Sequence, residues 1–242
     1  MSGFRCKEFF VSHDRCAMKV GTDALMLGAW ATLPKAGTAL DIGAGSGILS
    51  LMLAQRLQKS GLNPLVYAIE LDQDAALQAQ DNVAASRWAA QIQVIQADIL
   101  TYAATDNQPE LGFELIISNP PYFQQSLGAS DPKRHQARHT DSLSFIDLAV
   151  VAKKLATAGA HFCLVLPADA DFISVAEKAG WTLQRRCLVK TATNKAAKLQ
   201  LLDFSASAVT SQVEQTELLI QQSPGQYSDD YRTLLADFYL RF

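Results

Sequence analysis

Short apolar runs alternate with amphipathic segments along most of this chain, from Thr38 to Trp181. The runs are continuous, which is typical of strands covered on both faces. The segments between them repeat apolar residues three and four positions apart, which predicts helices. Strands separated by helices need crossover connections, so we expect a mainly parallel sheet. The predicted strands are Ala39–Ile42, Leu65–Glu70, Ile92–Ala97, Phe113–Ser118 and His161–Leu166, and the predicted helices are Ile48–Gln58, Asp74–Ala85, Leu143–Leu155 and Phe172–Lys178.

The pattern changes at both ends of the chain. The first residues alternate weakly and predict a short hairpin, and Thr22 and Asp23 are expected to cap a helix over Ala24–Trp30. We therefore expect an N-terminal extension over residues 1–35 and a main domain over residues 36–242. Past Trp181, strands follow one another without a clear helix between all of them, which predicts an antiparallel edge. These late elements are the strands Leu183–Lys190, Leu199–Phe204 and Glu217–Gln221 and the helix Asp229–Leu240.

Composition and charge argue against several classes of protein. With 242 residues, 49% of them hydrophobic and 19% charged, the chain suits one large globular domain. No apolar run approaches the ~18 residues of a membrane span, and the charged N-terminus lacks a signal-peptide core. The four cysteines form no C-x-x-C pair, so reduced thiols and a cytoplasmic location are predicted. The net charge of −3 and the pI of about 5.8 count against a general nucleic-acid binder, so any RNA contact must depend on a local patch.

A glycine-rich turn from Asp41 to Gly47 follows the first predicted strand of the main domain. Gly43, Gly45 and Gly47 permit positive φ and a close approach of a ligand to the backbone. Their G-x-G-x-G spacing differs from the G-x-G-x-x-G of dinucleotide enzymes, and such turns also occur for packing alone. The Asp41 carboxylate would repel a diphosphate, so it favours a cationic or amino-bearing ligand.

Two further carboxylates stand where the next two strands end. Glu70 ends the second strand, where an acidic residue about 20 positions after a glycine turn binds ribose hydroxyls in doubly wound folds. Asp98 follows the third strand, where it can accept a hydrogen bond from an adenine amino group. An exposed strand-end charge is the alternative for Glu70, and a helix N-cap or turn residue is the alternative for Asp98. Because parallel strands end at one edge of a sheet, we expect all three carboxylates to face one crevice.

The tetrapeptide Asn119-Pro120-Pro121-Tyr122 follows the fourth strand and is the most informative stretch of the chain. The Asn119 amide oxygen and the Pro120 carbonyl can accept hydrogen bonds from an –NH₂ group. An amide or base amino group is a poor nucleophile, and two acceptors would localise its lone pair toward an electrophile. Tyr122 offers a flat face for stacking, although it could also merely pack. With the glycine turn, the tetrapeptide indicates an amino-group methyltransferase.

A basic run from Lys133 to His139 follows the tetrapeptide. Its cations and histidines would lie beside the substrate pocket and suit phosphates, which indicates RNA. A solvated loop is the alternative. Five later cations, which include Lys195 and Lys198, could extend the patch, but alternation on an edge strand accounts for charge there equally well. The candidate RNA contacts are Arg134, His135 and Arg138, and the other three of the five later cations are Arg185, Arg186 and Lys190.

In their order, these motifs resemble those of class I S-adenosylmethionine-dependent methyltransferases over roughly residues 36–205. The resemblance implies an α/β, Rossmann-like fold with a seven-stranded, mostly parallel sheet, helices on both faces and an antiparallel edge strand. It also implies S-adenosylmethionine as cofactor, S-adenosylhomocysteine as product, and no metal. By the same resemblance, Asp41 and the three glycines bind the methionine part of the cofactor, Glu70 binds the ribose, and Asp98 with Ile99 binds the adenine.

Further features of the chain closely resemble one family, the tRNA(Val) adenine-37 N6-methyltransferases. The match to this family runs almost from one end of the chain to the other. The resemblance implies tRNA as the substrate and Asn119, Pro120 and Tyr122 as the catalytic residues. Lys19, Thr22 and Asp23 match the family too, but helix capping accounts for the last two and we assign none of them to the site. The matching stretches are His13–Asp23, the tetrapeptide with Phe123, the basic run, Tyr231 and Asp237–Leu240.

Other functions stay open at this point. Guanine-N2 methyltransferases and enzymes that methylate glutamine in release factors share the tetrapeptide, although the latter usually carry a larger N-terminal helical domain. A module that binds the cofactor without catalysis is disfavoured by the intact Asn119 and Tyr122. A nicotinamide oxidoreductase is disfavoured by the glycine spacing. The sequence leaves the oligomeric state open, a monomer included.

Overall fold

The computed structural model describes residues 2–35, 38–63, 65–106, 109–110, 112–121, 143–208 and 212–242. None of the helices in these residues is long and apolar enough to span a membrane. The described strands are β1 Gly3–Arg5, β2 Phe10–Ser12, β3 Thr38–Ile42, β4 Leu65–Glu70, β5 Ile92–Gln96, β6 Phe113–Ser118, β7 Ala156–Pro167, β8 Thr182–Ala192, β9 Leu199–Ser205, β10 Glu214–Ser223 and β11 Gln226–Tyr227. The described helices are α1 Thr22–Trp30, α2 Ile48–Lys59, α3 Gln73–Ala84, α4 Ile99–Tyr102, α5 Phe145–Leu155, α6 Ile173–Lys178 and α7 Asp229–Leu235.

One large sheet has the strand order β11-β10-β8-β9-β7-β6-β3-β4-β5, and β1 and β2 form a separate hairpin. Strands β3 to β7 are parallel, and β9 runs antiparallel between β7 and β8. The mostly parallel, seven-stranded sheet that the sequence predicted consists of the neighbouring strands β5, β4, β3, β6, β7, β9 and β8. Two further strands extend it, because β10 pairs parallel to β8 and β11 pairs antiparallel to β10 at the edge.

Helices cover both faces of this sheet, as the continuous apolar strands predicted. Adjacent residues of β7 alternate between two buried cores, with Leu164 in one and Val165 in the other. Side chains of α1, α2 and α7 belong to the core of Val165, and side chains of α4, α5 and α6 belong to the core of Leu164. Because both faces are buried, each residue along a central strand loses its contact with water, and an alternating polar pattern would leave polar groups inside.

The N-terminal hairpin and α1 share a core with the rest of the molecule. Val11 of β2 and Leu25 of α1 lie in the same buried cluster as Leu51 of α2. These segments therefore contribute to the stability of the sheet and its helices. The division into an extension over residues 1–35 and a main domain over residues 36–242 stays a prediction.

The start of α1 differs from the sequence-based expectation, and a residue just past its end binds a buried carboxylate. The helix begins at Thr22, and its N-cap residue is Gly21, without a side-chain capping bond, so the prediction that Thr22 caps it is wrong. Just past its C-terminal end, Thr32 Oγ1 donates to Oδ2 of the buried Asp203 at 2.5 Å. Arg185 Nε donates to the same oxygen at 3.0 Å. Arg185 is thus held by an interior carboxylate, which weakens the case for it as an extension of an RNA-binding patch.

Candidate active site

The glycine turn and the tetrapeptide leave the sheet side by side. Ile42 of β3 pairs with Ser118 of β6 on one side and with Ile69 of β4 on the other. The strand order reverses between β3 and β6, because β4 and β5 lie beyond β3 while β7 lies beyond β6. In open α/β sheets, a crevice forms outside the strand ends at such a reversal, and ligands bind there. The glycine turn, Glu70 and the tetrapeptide, which are far apart in sequence, therefore lie along one edge of the sheet.

Two of the three glycines of the turn face open space. Gly43, Gly45 and Gly47 have φ values of 72°, 55° and 79°, which favour glycine. A Cβ at Gly43 or Gly45 would meet no described atom within 4 Å, so a ligand can approach the backbone there. A Cβ at Gly47 would lie 3.3 Å from the Cβ of Ala79 in α3. Gly47 therefore also serves the packing of α3 against the turn, which is the alternative role weighed for these glycines.

Asp41 is completely buried at the end of β3. Its Oδ2 accepts hydrogen bonds from the Ser50 amide at 3.1 Å and the Ser50 hydroxyl at 2.7 Å. Its Oδ1 has no hydrogen-bond partner among the described residues. Burial raises the pKa of this carboxyl from its ordinary 3.8 to about 7, against the lowering effect of the Ser50 bonds. A buried carboxylate oxygen that still needs a donor, beside an open turn, fits an amino-bearing ligand.

Replacing Asp41 by Asn tests this pKa. The folded protein binds the Asp41 proton more tightly than the unfolded chain, so the stability from the neutral form is present at acidic pH and lost as the pH rises through about 7. Between pH 5.5 and 8.5, we expect wild type to lose about 2 kcal/mol of unfolding free energy relative to Asp41→Asn. Thermal unfolding of ligand-free protein should show the variant gaining about 4–8 °C on wild type over this range. A gap in Tm that does not change with pH would mean that Asp41 is already ionised at pH 5.5.

Glu70 holds the glycine turn with one oxygen of its carboxylate. Its Oε2 accepts from the Gly45 amide at 2.7 Å, and its Oε1 accepts from the Asp72 amide at 2.9 Å. The side chain is half-buried, unlike the exposed strand-end charge that was the alternative. Each carboxylate oxygen can accept a further hydrogen bond. Glu70 is therefore placed to fix the open turn and still bind hydroxyl groups of a ligand, although the ribose contact itself stays a prediction.

Asp98 and Ile99 stand where β5 ends and the short helix α4 begins. Asp98 Oδ1 accepts from the amides of Leu100 at 2.7 Å and Thr101 at 3.0 Å, so the alternative N-cap role is present. Both capping bonds use Oδ1, and Asp98 is exposed. The Ile99 side chain is buried in the core on the α5 side of the sheet. Capping fixes the orientation of the Asp98 carboxylate, and an adenine contact for these two residues stays a prediction.

Asn119 and Pro120 emerge directly from β6. Both are half-buried, while Pro121 is exposed. The preceding residue, Ser118, is buried and donates from Oγ to the Ile42 carbonyl at 2.9 Å. This bond ties the start of the tetrapeptide to the strand that leads into the glycine turn. The other predicted substrate-site residues, Tyr122, Arg134, His135 and Arg138, lie outside the described residues.

The two remaining cations of β8 lie on the other half of the sheet, away from the strands that carry the glycine turn. Lys190 Nζ lies 2.8 Å from Glu217 Oε2 of β10. Arg186 lines a shallow cavity of about 160 Å³ together with Gln215 and Glu217. Glu217 offsets the positive charge of Arg186 and Lys190. This weakens the case for these two cations as an extension of an RNA-binding patch. In the described part of the chain, no cluster of three or more His, Cys, Asp or Glu residues could hold a metal ion.

Comparison with known proteins identifies the family and the fold. The sequence profile of the methyltransferase small domain family matches residues 12–135, which include the glycine turn, Glu70, Asp98 and the tetrapeptide. Among solved structures, a predicted O-methyltransferase of Agrobacterium tumefaciens superposes with a TM-score of 0.66 at 19% identity, covering 89% of this chain and 96% of that one. A 16S rRNA N2 methyltransferase from T. Thermophilus, in complex with AdoMet and guanosine, superposes with a TM-score of 0.55 at 22% identity, covering 84% of this chain and 49% of that one. At these identities, the likeness shows the class I methyltransferase fold.

Similarity to full-length relatives is much closer. A tRNA1(Val) (adenine(37)-N6)-methyltransferase of Serratia proteamaculans is 44% identical over 241 residues, covering 98% of this chain and 90% of the relative. One of Pseudoalteromonas translucida is 43% identical over 243 residues, covering 100% of both chains. The chain therefore belongs to the methyltransferase small domain family and to the family of tRNA1(Val) (adenine(37)-N6)-methyltransferases.

Proposed function

We propose that this chain transfers a methyl group from S-adenosylmethionine to N6 of adenine 37 in tRNA1(Val). The observation that carries the proposal is the pairing of β3 with β6, which sets Asn119 and Pro120 next to an open glycine turn. Full-length relatives named for this reaction support the choice of acceptor. Direct transfer of a methyl group requires that donor and acceptor be bound side by side. A donor site and an amino-group site at the same strand reversal would meet this requirement.

The side chains at the turn suit the parts of the donor, which supplies an electrophilic methyl group when bound. Asp41, with its unsatisfied buried oxygen, and the open backbone at Gly43 and Gly45 would hold the amino-bearing methionine part. Glu70 would accept from the ribose hydroxyls while keeping its bond to the turn. Asp98 and Ile99 would bind the adenine.

The tetrapeptide would prepare the acceptor. The Asn119 amide oxygen and the Pro120 carbonyl accept the two N–H groups of the adenine N6, so the nitrogen lone pair points away from the ring plane and toward the methyl group. Tyr122 stacks on the base and holds it in the pocket. These groups act by positioning and electrostatics, since the amino nitrogen becomes acidic only once it is methylated.

The RNA would reach this pocket through its anticodon loop. An adenine must be unstacked to enter, and a single-stranded loop lowers that cost. Arg134, His135 and Arg138 would contact phosphates of the loop. A tRNA substrate also agrees with the cytoplasmic location predicted from the sequence.

The test combines product analysis with a salt series. Wild type and Arg134→Ala/Arg138→Ala are given S-adenosylmethionine with tRNA or with release factors, and the modified nucleosides are identified by mass spectrometry. We expect N6-methyladenosine at position 37, and weaker tRNA binding by the double variant. Its plot of log affinity against log salt should be flatter, because each phosphate contact contributes a slope of about −0.7 to −0.9. Methylated glutamine in the release factor, or N2-methylguanosine in the RNA, would instead support one of the alternative acceptors.

A further inference from the structure

Asn82 of α3 joins the N-terminal hairpin to the glycine turn. Its Oδ1 accepts from the Ser12 amide at 2.9 Å, and its Nδ2 donates to the Ser12 carbonyl at 2.8 Å and to the Ser46 carbonyl at 2.9 Å. Only 5% of Asn82 is exposed. Ser46 stands between two glycines of the turn, Gly45 and Gly47. Both N–H groups of one buried amide thus fix two segments far apart in sequence, beside the proposed donor site.

Gln78 repeats this arrangement one helical turn earlier. Positions four apart share a helix face, so Gln78 and Asn82 point the same way from α3. Gln78 is buried, and its Oε1 accepts from the Arg15 amide at 3.3 Å. The segment then closes on itself, because His13 Nδ1 accepts from the Val20 amide at 3.1 Å. Residues 12–20 therefore follow a defined path, held to α3 through main-chain atoms.

This path passes the carboxylate assigned to the ribose. Burial, together with the smaller effect of the negative charges of Glu70 and Asp72, raises the pKa of the Cys16 thiol from its ordinary 9.0 to about 11. Glu70 Oε2 accepts from the Gly45 amide at 2.7 Å, directly before Ser46, whose carbonyl Asn82 ties to Ser12. The opposite side of the segment faces outward, where the exposed Arg15 guanidinium lies 2.8 Å from Asp81. The N-terminal segment is thus a neighbour of both the glycine turn and Glu70.

We propose that Asn82 is a positioning residue for donor binding, holding residues 12–16 against the glycine turn as one wall of the donor pocket. Asn82 would touch no reacting atom. Its loss would leave the Ser12 amide and the Ser12 and Ser46 carbonyls without their partner and would let both the wall and the turn relax. The proposal rests on the proposed donor, S-adenosylmethionine, but not on the choice of tRNA as acceptor.

The test compares Asn82→Ala with Gln80→Ala, an exposed amide on the same helix. For Asn82→Ala, we expect the Kd for S-adenosylmethionine, measured by calorimetry, to rise about tenfold, in line with the loss of one or two buried hydrogen bonds. The kcat at saturating donor should stay within about threefold of wild type, because the acceptor groups are untouched. Without donor, trypsin should cut after Arg15 and Lys19 faster than in wild type, and saturating S-adenosylhomocysteine should restore protection. Gln80→Ala should match wild type in all three measurements.

A second variant separates positioning from folding. Gln78→Ala keeps Asn82 and frees only the Arg15 amide, so it should show a smaller rise in donor Kd with the same new trypsin cuts. Unchanged donor affinity in both variants, or a loss of kcat without a change in donor Kd, would overturn the role of Asn82. If wild type itself fails to bind S-adenosylmethionine, this proposal and the proposed donor both fall. If wild type binds the donor but methylates no tRNA, the acceptor is wrong, and the donor Kd and the trypsin cuts still decide on Asn82.

Discussion

Asn119→Ala is expected to lower kcat for methyl transfer by at least about 10²–10³-fold, the usual cost of losing one hydrogen-bonding group that acts at the reacting centre. The amide oxygen of Asn119 is the side-chain acceptor that opens the tetrapeptide, directly after the buried Ser118 of β6. Without it, one N–H of the amino group loses its acceptor, and the nitrogen lone pair stays delocalised into the base. Single-turnover assays with saturating donor and RNA measure this step free of binding effects.

Donor affinity is the discriminating control for Asn119→Ala. The residue follows β6, whereas the proposed donor contacts lie at or just past the ends of β3, β4 and β5. Calorimetry should therefore give a Kd for S-adenosylmethionine within about twofold of wild type. Gln96→Ala removes another amide from the same edge, at the end of β5, and should leave kcat unchanged. If donor affinity falls while residual turnover is close to wild type, Asn119 belongs to the donor site and our assignment is wrong.

The central strands could be read from the sequence because burial on both faces leaves a strong signal. The structure has β4 and β6 at their predicted bounds, Leu65–Glu70 and Phe113–Ser118. The edges of the molecule gave a weaker signal. The last helix ends at Leu235 instead of Leu240, and two main-chain carbonyls past its end accept hydrogen bonds from distant parts of the chain. The Phe238 carbonyl accepts from the Lys7 amide at 3.0 Å, and the Asp237 carbonyl accepts from Gln55 Nε2 at 3.1 Å. No local pattern encodes such tertiary contacts.

The strand ends that carry the candidate residues could be predicted from the sequence, but their hydrogen bonds could not. Neighbouring parallel strands end at one edge of a sheet, so the position of Asp41, Glu70 and Asp98 at or just past the ends of β3, β4 and β5 followed from topology. The sequence could not say that one Asp98 oxygen caps α4, or that one Glu70 oxygen holds Gly45. These bonds decide how much of each carboxylate is left for a ligand.

Asn82 shows what sequence reasoning missed. A signal was present, because Gln78 and Asn82 stand four positions apart among the inward-facing residues of α3, where apolar residues are expected. Two amides on a buried face need partners, but the partners are main-chain groups of Ser12, Arg15 and Ser46. Main-chain partners leave no trace in the sequence, so the contact between α3 and the N-terminal segment emerged only from the structure.

Glu70→Ala should weaken the donor without abolishing the chemistry. Loss of charged hydrogen bonds to the ribose is expected to cost about 1.5–3 kcal/mol, or roughly 10–150-fold in donor Kd. The structure adds a second source of weakening, because the same carboxylate accepts from the Gly45 amide at 2.7 Å and keeps the turn in its open form. Turnover at saturating donor should partly recover, since the acceptor groups on β6 are untouched.

Asp74→Ala is the matched control for Glu70→Ala. Asp74 is an exposed carboxylate in the first turn of α3, so its removal changes the charge near this edge by the same amount without touching the turn. We expect its donor Kd to stay within about twofold of wild type, the size of a screened surface effect. Calorimetry on the three proteins at two salt concentrations separates the terms, because a lost hydrogen bond persists at high salt and a general field effect does not. Equal losses in both variants that vanish at high salt would reduce Glu70 to a contributor of charge, and the ribose contact would have to lie elsewhere.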